Sequence, residues 1–400
     1  MASQVVVIGS GLAALATAHS LVGRGCAVVL IEEREPVSAG PPLEVESYRP
    51  WWPGDEVMTR LATRGIDLLD ALQVESGGAF DMNRRGHLIV ASELDLAVRL
   101  RSAAGRYAAA GGGPLREHTS PDWYLPAPAD GVRGVPGGLD LLEGRGLLGA
   151  MPFLGPQARL GVMVRRAGWV DGRGLRRWLL GAFQAVGGTV TTDSLSGADG
   201  QGNDGWVVSL ASGLKLRADG MVLAGSRARL VARRIGLDLG LTPATRVTAR
   251  LTGSAPHLGA SPPIVTVLNA PDVEEGTASD IRVDGADLRI ERLLSPEASA
   301  GADGRAIGES ILLRLAGTLP FLRTHRGPPS RLVVGLSGVG IGSDRRPVAG
   351  VVDRRGCSVV TGLEPDVGLT LGAAELVAEY FGGGPLPAVA PGRLTAPIDF

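Results

Sequence analysis

The chain has 400 residues, of which 44% are hydrophobic and 20% are charged, so it can form one large or two smaller globular domains. The formal net charge of −1 excludes a strong electrostatic attraction to nucleic acid or to an anionic membrane. Cys26 and Cys357 lie far apart and neither has a CxxC partner, so we expect neither a metal site nor a disulfide framework. No apolar stretch approaches about 18 residues, and we expect a cytoplasmic protein.

The beginning of the chain predicts a strand–helix–strand unit. The apolar run Val5–Ile8 is typical of a buried parallel strand, and Leu12–Gly23 has the apolar periodicity of a helix. A second apolar run, Ala27–Ile31, ends at Glu32. Because the three elements follow each other within about 30 residues, they match the βαβ unit in order and length.

The connection between the first strand and the helix has the spacing Gly9-x-Gly11-x-x-Ala14. Gly9 permits a tight turn, Gly11 lets a pyrophosphate approach the backbone, and Ala14 allows the helix to pack closely on the strand. The helix N-terminus offers N–H groups to the phosphates, and Glu32 is placed to accept hydrogen bonds from a ribose. The pattern predicts a dinucleotide site. The alternative is a glycine-rich turn in another kind of α/β protein.

The sequence that follows favours FAD over NAD as the dinucleotide. Residues 41–53 are irregular and rich in proline, and a predicted helix (Asp55–Leu72) and strand (Gly86–Ala91) come next. A purely NAD-binding domain usually continues with further strand–helix units. A second nucleotide fingerprint, which is expected of an enzyme that binds NAD beside FAD, does not occur in the sequence.

Several blocks resemble, in order and spacing, a family of FAD-dependent oxidases related to D-amino-acid oxidase, glycine oxidase and monomeric sarcosine oxidase. The blocks are the fingerprint through Glu32 and Arg34, the stretch Arg85–Ala91, the segment Gly168–Asp171 with a predicted helix at Gly174–Val186, the strand Val222–Ser226, the turn Asp344–Gly350, the strand Ser358–Thr361, and a terminal helix that ends at Phe381. Asp171 is also a plausible N-cap for the helix that follows it. The resemblance extends over nearly the whole chain.

The resemblance implies an α/β fold with a discontinuous, Rossmann-like FAD-binding domain and an inserted α+β substrate domain that contains a mixed sheet. The FAD-binding domain would comprise residues 1–78, 144–240 and 332–400, and the substrate domain residues 79–143 and 241–331. Strands are predicted in the second piece of the substrate domain at Arg246–Leu251, Ile264–Leu268, Asp280–Val283 and Leu288–Arg292. The last of these alternates apolar and charged residues, which predicts a half-exposed strand.

The resemblance also implies FAD as a cofactor, and we expect it to be held without a covalent bond. The expected contacts come from the fingerprint, from two later strand ends and from the loops around the last strand. They are Gly9, Gly11, Leu12, Ala13, Ala14, Glu32, Glu33, Arg34, Ser38, Leu195, Ala224, Gly225, Asp344, Pro347, Gly362, Leu363, Gly368 and Leu369. Neither cysteine lies in a setting typical of covalent flavin attachment.

In the resembled family, a carbon beside an amine gives a hydride to the flavin, and the protein orients the substrate. An arginine for the substrate carboxylate is expected on the strand before the D-x-x-P turn, but Val339 falls near that position. Arg282 or Arg289 is the substitute cation, unless both are solvated strand charges. Tyr48, Arg49, Trp51 and Trp52 are expected to line the pocket, the alternative being a packed loop. The predicted catalytic residues are therefore Tyr48, Arg49 and Arg282.

Two further positions depart from the resembled family. Some relatives use a lysine near the flavin to activate oxygen, but the only lysine here, Lys215, falls in a hairpin and is expected at the surface. Where relatives have a glycine-rich turn after Gly362, this chain carries Glu364 and Asp366. Either these carboxylates face the flavin and oppose negative charge on its reduced form, or they cap the terminal helix from its solvent side. We expect the second arrangement.

The sequence as a whole favours an FAD-dependent enzyme that oxidises a C–N bond of a small-molecule amine or modified amino acid, in specialised metabolism or on a carrier. One alternative is a flavin-fold subunit that binds FAD or a partner and is not catalytic alone. A flavin hydroxylase is disfavoured, because the Gly-Asp phosphate motif expected before the last helix is replaced by Gly362-Leu363. A partner subunit or a homo-oligomer is left open.

Overall fold

The structure is a computed structural model of the 400-residue chain. It describes residues 3–33, 45–127, 137–200, 205–259, 262–268, 278–295, 298, 303–325, 332–342, 346–353, 356–363 and 366–383. Within these ranges, no helix combines the length and the apolar character needed to cross a membrane.

Among the described residues, the structure contains the four helices that the sequence predicts, with ends that differ by up to three residues, and four further helices that were not predicted. In chain order they are α1 (Leu12–Gly23), α2 (Glu56–Glu75), α3 (Leu94–Ala109), α4 (Gly144–Ala150), α5 (Gly172–Ala185), α6 (Ala228–Arg234), α7 (Gly304–Leu315) and α8 (Val367–Phe381). Short 3₁₀ turns lie at Pro121–Trp123, Ala255–Leu258 and Pro320–His325. Asp171 caps α5 as predicted, because its side chain accepts a hydrogen bond from the Arg173 amide at 2.9 Å.

The strands form sheets of six, nine, three and two strands. In chain order they are β1 (Gln4–Ile8), β2 (Ala27–Glu33), β3 (Val45–Tyr48), β4 (His87–Ala91), β5 (Leu115–His118), β6 (Leu139–Glu143), β7 (Leu160–Val164), β8 (Gly168–Asp171), β9 (Thr189–Asp193), β10 (Leu195–Gly200), β11 (Trp206–Leu210), β12 (Lys215–Ala218), β13 (Gly220–Ala224), β14 (Thr242–Leu251), β15 (Ile264–Leu268), β16 (Ser279–Asp284), β17 (Asp287–Leu294), β18 (Leu332–Ile341), β19 (Val348–Asp353) and β20 (Cys357–Thr361).

The six-stranded sheet is Rossmann-like and is assembled from the beginning, the middle and the end of the chain. Its order is β19-β20-β13-β1-β2-β9, and β1 pairs in parallel with both β13 and β2. Val5–Ile8 is buried on both faces, as a central parallel strand requires. α1 and α8 pack on one face, and β11, β12 and α6 cover the other. Lys215 is exposed on β12, as expected.

The nine-stranded sheet is mixed, with the order β18-β14-β17-β16-β15-β4-β7-β6-β5. The predicted strands of the second substrate-domain piece are all present, and β15 has the predicted bounds. α7 packs against one face of β14, β16 and β17. α3 covers the opposite face beside β4, β6 and β7. The remainder of that opposite face is turned toward the Rossmann-like sheet, because Arg246 of β14 lines a cavity with Ala13 and Gly225.

Two strands lie in a different sheet from the one that the predicted domain boundaries imply. β7 and β18 fall within residues 144–240 and 332–400, which the sequence assigned to the FAD-binding domain. In the structure, β7 pairs with β4 and β6, and β18 pairs with β14 along its full length. A short apolar run does not reveal which strand it will pair with, so the sequence could not place them. The domain boundaries remain a proposal.

The expectation that β17 is half-exposed is wrong. Leu288 and Ile290 do pack against the α7 side, as the alternation predicts. Glu291 points to the other face, however, and is only 6% exposed. That face is covered by the Rossmann-like part of the chain, so its charged residues are buried as well.

A close helix crossing fixes the N-terminus of α8. A Cβ on Gly65 of α2 would overlap the carbonyl oxygen of Gly368, and a Cβ on Gly372 would overlap that of Leu61. Only glycines allow the two backbones to approach this closely. Just before α8, Asp366 bridges to Ser47 of β3, so the start of this helix lies beside β3 and the face of the nine-stranded sheet that carries Arg246.

Candidate functional site

The turn between β1 and α1 is shaped for close backbone approach. Gly9 has φ +152°, and a Cβ at this position would overlap the carbonyl oxygen of Ala224. Gly11 is the N-cap of α1 with φ +88°, and no side chain caps the helix start. The α1 N-terminus therefore presents its amides without a competing side chain, which suits a phosphate.

A cleft of about 220 Å³ opens directly over this turn. Gly9, Gly11 and Ala14 form its floor and Glu32 lies on its wall, as the fingerprint predicts. Arg176 and Arg177 of α5 complete the lining. These two arginines were not predicted as site residues, although they lie in the first half of the helix that Asp171 caps. Guanidinium groups are well suited to pyrophosphate oxygens, so they strengthen the fit of a dinucleotide.

Glu33 and Leu195 contact each other away from this lining. The Glu33 carboxylate is 3% exposed, accepts a hydrogen bond from the Leu195 amide at 2.8 Å, and lies 3.0 Å from Arg234 Nη1. These contacts tie β2 to β10 and α6. Glu32, one residue earlier, points into the cleft, because successive side chains of a strand face opposite sides. A role for Glu33 or Leu195 at the cofactor stays a prediction.

A second cavity lies on the other side of the α1 N-terminus. Its lining is Ala13, Gly225, Ser226, Arg246, Val339, Thr361, Gly362 and Leu363. Gly225 and Gly362 both have left-handed φ angles, +90° and +77°, and Pro347 lies against Gly362. The volume of this cavity is only about 10 Å³, and because Ala13 lines it while Ala14 lines the first, the two cavities lie on either side of the start of α1.

Asp366 caps α8 as predicted, but it is not on the solvent side. Its Oδ1 accepts a hydrogen bond from the Leu369 amide at 2.8 Å, and the residue is 5% exposed. Burial raises the pKa of Asp366 to about 7, against the opposing charge of Arg49. The close crossing of α2 and α8 accounts for this burial. Glu364, the other carboxylate of this loop, lies outside the described residues.

Arg49 contacts the face of the nine-stranded sheet that carries Thr266, Asp280 and Arg246, which is called the polar face below, and its role at a site stays a prediction. Its guanidinium stacks 3.8 Å from the centre of the Trp52 ring, and Nη1 lies 3.7 Å from Asp280 Oδ1 and 3.5 Å from His87 Nε2. It also acts electrostatically on Asp366. Arg49 therefore links the loop before α8 to the nine-stranded sheet.

A hydrogen-bonded chain runs along this sheet from His87 through Thr266 to Asp280. The Thr266 hydroxyl donates to Asp280 Oδ1, so it accepts from the N–H of His87 Nε2, each bond being 2.5 Å long. Burial, and then the charge of Arg49, lowers the pKa of His87 well below its usual range, and the imidazole is neutral. The sequence analysis missed this chain, whose only local signal is a polar residue at the start of an apolar strand.

Tyr48 does not fit the pocket-lining role that was predicted for it. The residue is completely buried in the core, and its hydroxyl donates to the carbonyl oxygen of Asn83. Burial raises the pKa of Tyr48. Tyr48 ends β3 and Arg49 follows it; the Tyr48 side chain lies in the core, whereas that of Arg49 lies beside Thr266 and Asp280. Trp51 is buried as well, in a different core cluster beside α3, so it does not line the pocket either.

Arg282 is buried in a cluster with charges of both signs. Its Nη2 lies 3.1 Å from Glu291 Oε1, and Arg289 Nε lies 3.1 Å from the same oxygen. Burial opposes ionisation of Glu291, but the charges of Arg282, Arg289 and Arg246 outweigh it and hold the pKa of Glu291 below its usual range. Neither arginine is a solvated strand charge: Arg282 is 3% exposed, and the side chain of Arg289 is 13% exposed.

Eight of the eighteen predicted cofactor residues line the two cavities: Gly9, Gly11, Ala14 and Glu32 the first, and Ala13, Gly225, Gly362 and Leu363 the second. Contacts of all eighteen with FAD stay predictions. Arg34, Ser38 and Asp344 lie outside the described residues. No group of three or more His, Cys, Asp or Glu side chains suited to a metal ion occurs within the part of the chain that the structure describes. The left-handed glycines, the uncapped helix start, Glu32 and the two arginines together fit FAD.

Solved structures of known proteins share this architecture. Iminodiacetate oxidase from Chelativorans sp. BNC1 is 20% identical, with a TM-score of 0.68 over 96% of each chain. Glycine oxidase from Geobacillus kaustophilus is 17% identical, with a TM-score of 0.71 over 98% of this chain and 99% of the other. L-Proline dehydrogenase from P. horikoshii is 16% identical, with a TM-score of 0.71 over 96% of this chain and 95% of the other. At these identities the likeness shows the fold.

A comparison with curated proteins gave no significant match. The sequence profile of the family described as FAD-dependent oxidoreductases matches residues 4–380, which is nearly the whole chain. The chain therefore belongs to the family of FAD-dependent oxidoreductases.

Proposed function

We propose that the protein oxidises the C–N bond of a small-molecule amine or modified amino acid by hydride transfer to FAD. The observation that carries the proposal is Arg246 of β14, which lines the second cavity beside Gly362 and Leu363 and belongs to the polar face that continues across β17 and β16. Iminodiacetate oxidase, glycine oxidase and L-proline dehydrogenase share the fold and are named for compounds that contain a C–N bond. A cytoplasmic location and a role in specialised metabolism remain part of the proposal.

The chain offers a noncovalent site for the cofactor. Gly9 and Gly11 would admit the pyrophosphate, Glu32 would accept hydrogen bonds from the ribose, and Arg176 and Arg177 would supply positive charge to the phosphates. When bound, FAD supplies the hydride acceptor, which protein side chains cannot provide. Both cysteines are buried in the protein core and lie outside the two cavities.

The residues of the chain would prepare the amine for oxidation. An ammonium must lose a proton before the neighbouring carbon can give up a hydride, and Asp280 is the proposed acceptor of that proton. Its side chain is 29% exposed, whereas the Glu291 carboxylate opposite it is 6% exposed and already paired. The Thr266 hydroxyl donates a hydrogen bond to Asp280 Oδ1, and the positive charge of Arg49 stabilises the negative charge of Asp280. The neutral His87 behind Thr266 keeps this carboxylate oriented.

A flavin-fold subunit that is not catalytic alone is the second candidate. The buried Asp366 beside the Gly362–Leu363 loop favours it, because a carboxylate ion close to the flavin would disfavour the reduced cofactor. Such a subunit would depend on a partner protein or on a second copy of the chain.

Anaerobic mixing of the holoenzyme with a panel of primary and secondary amines tests the proposal. Loss of the yellow flavin colour with one class of amine, with formation of a carbonyl product, is the expected result. A holoenzyme that is readily photoreduced and reoxidised, yet bleached by no amine in the panel, would favour the non-catalytic subunit.

A further inference from the structure

The strand β18 forms one edge of the nine-stranded sheet, and the proposed reaction does not use the outer side of this strand. β18 pairs with β14 on one side, and among the described residues no strand pairs with its other side. It is ten residues long, Leu332–Ile341, and its pairing with β14 runs from end to end without a register shift. An unpaired edge presents a row of N–H and C=O groups to which a further strand can bind.

β18 lacks the charged residues that every other edge strand in the described ranges carries. Charges and bulges at an edge keep sheets from joining edge to edge. The strands β10 and β19 each contain a register shift as well. β18 has the sequence LVVGLSGVGI, without a charge or a proline. The ionisable residues of the other edges include Asp193 in β9, Asp353 in β19, Asp199 in β10, Lys215 in β12, Arg116 in β5, Glu46 in β3 and Asp171 in β8.

The first seven residues of β18 are open to solvent and contain two glycines that the fold itself does not require. Val333 and Leu336 are 59% and 44% exposed. A Cβ on Gly335 or on Gly338 would meet no atom within 4 Å, and neither glycine has a left-handed φ angle. Glycine weakens the interior of a strand, and it often marks a place where another backbone approaches closely. The two glycines therefore suit an edge on which a second strand lies.

An identical strand fits this edge. We infer that β18 pairs antiparallel with β18 of a second copy of the chain about a twofold axis, which joins the two nine-stranded sheets into one. The residues of β18 that are not buried are 332–338, and their midpoint is Gly335. With the axis at Gly335, the pairs across the interface are Leu332 with Gly338, Val333 with Ser337, and Val334 with Leu336.

The neutrality of β18 favours a second copy over a different protein. Partners of different sequence are usually selected by complementary charges, and this strand offers none. In a twofold pair, each residue near the axis lies close to its own copy, so a charged strand would repel itself. Self-pairing also closes after two chains and leaves neither copy of β18 as a free edge.

The pairing would extend to a helix and to the second cavity. Gly304 of α7 lies beside Leu336, and a twofold axis perpendicular to the sheet places the α7 helices of both copies on the same face. Val339, four residues after Gly335 on the same strand, lines the second cavity. A dimer would therefore brace the strand that forms one wall of this cavity, whether or not the proposed reaction is correct.

A cysteine on the axis tests the register. Gly335→Cys places the two Cα atoms directly opposite each other, about 4.5–5.5 Å apart, so oxidation or a short bis-maleimide should give a covalent dimer. Gly338→Cys is the control, because its two copies would lie about 20 Å apart along the strand. Cys26 and Cys357 are buried and should not react. Equal cross-linking at the two positions, or none at position 335 by either method, would overturn the inference.

Sedimentation of the uncross-linked holoenzyme tests the assembly itself. We expect a dimer with a dissociation constant in the micromolar range or tighter, and Gly335→Asp, which sets two carboxylates opposite each other, should raise this constant at least about tenfold. Gly197→Asp is the control, since a Cβ there also meets no atom within 4 Å on the edge strand β10, and it should leave the mass unchanged. An unaltered flavin spectrum shows that each variant is folded. A parent protein that stays monomeric up to about 100 μM, or a dimer that Gly335→Asp leaves intact, would overturn the inference.

Discussion

Glu46 and Arg176 connect the two halves of the candidate site: Glu46 Oε1 lies 2.9 Å from Arg176 Nη1. The Glu46 side chain is 4% exposed, and Arg176 lines the cleft over the glycine turn. Glu46 also acts electrostatically on Arg289 of β17, which belongs to the polar face of the nine-stranded sheet. One buried carboxylate therefore lies between the cofactor cleft and the polar face of the nine-stranded sheet.

Replacement of Arg177 should weaken FAD binding with little effect on stability. Arg177→Gln removes one charged donor from the cleft, and we expect the dissociation constant for FAD to rise about tenfold. Arg176→Gln should have the same effect and also lower the melting temperature, because it takes a charged partner from the buried Glu46. FAD fluorescence titration and thermal melts measure both quantities. Arg173→Gln, exposed on the same helix, is the control, and an equal loss of affinity there would contradict the assignment.

The glycine turn offers a matched pair of substitutions. Gly9→Ala places a Cβ on the carbonyl oxygen of Ala224, so we expect loss of FAD binding and severe destabilisation. Gly25→Ala meets no atom within 4 Å and has φ +82°, so it should cost only the left-handed strain, about 1–2 kcal/mol. Denaturant unfolding with and without FAD measures both effects. If the two variants behaved alike, the close approach at Gly9 would be unimportant.

The glycine turn between β1 and α1 could be predicted from the sequence, whereas most residues of the polar face could not. The Gly9–Glu32 spacing and the Asp171 cap are local, so a short window contains all the residues that interact. The contact between His87 and Thr266 joins positions 179 residues apart. Nothing near His87 in the sequence indicates which strand will lie beside it. Asp366 was correctly predicted to be a helix cap, but its burial depends on the crossing with α2, which no local pattern reveals.

Asp366 should make stability depend on pH. Its pKa of about 7 in the folded chain is above the unfolded value of about 3.9, so the folded protein binds this proton more tightly. Stability is therefore lost as pH rises from about 4 to about 7, by an amount on the order of 4 kcal/mol. Asp366→Asn keeps an acceptor for the Leu369 amide and should remove this dependence. Urea unfolding of both proteins at several pH values measures it, and parallel pH profiles would be the contrary outcome.

Asp366 should also change the reduction potential of the flavin, by an amount that depends on pH. A carboxylate that capped the helix from its solvent side, as the sequence predicts, would be screened by solvent and would hardly change the potential, but the buried Asp366 lacks this screening. An ionised Asp366 opposes negative charge on reduced FAD, so Asp366→Asn should raise the potential above pH 7 by up to about 70 mV. Well below pH 7, where the parent group is protonated, the change should be small. A shift of the same size on both sides of pH 7 would exclude titration of Asp366 as the cause.

Free glycine, sarcosine and ordinary D-amino acids should be poor substrates. Val339 lines the second cavity where the resembled family carries an arginine, and a carboxylate buried there without a partner costs several kcal/mol. Val339→Arg should increase kcat/KM for these compounds, whereas Val333→Arg, on the same strand but 59% exposed, should not. Fast reduction of the parent enzyme by glycine would instead assign the carboxylate to Arg246, which lines the same cavity.

The rate of anaerobic flavin reduction, measured with an amine substrate that carries either hydrogen or deuterium on the carbon beside nitrogen, tests C–N oxidation most directly. Hydride transfer from that carbon breaks its C–H bond, so the deuterated compound should bleach the flavin more slowly and give the same carbonyl product after hydrolysis. Equal rates with the two isotopic forms, and a product that retains its C–N single bond, would contradict the proposed reaction.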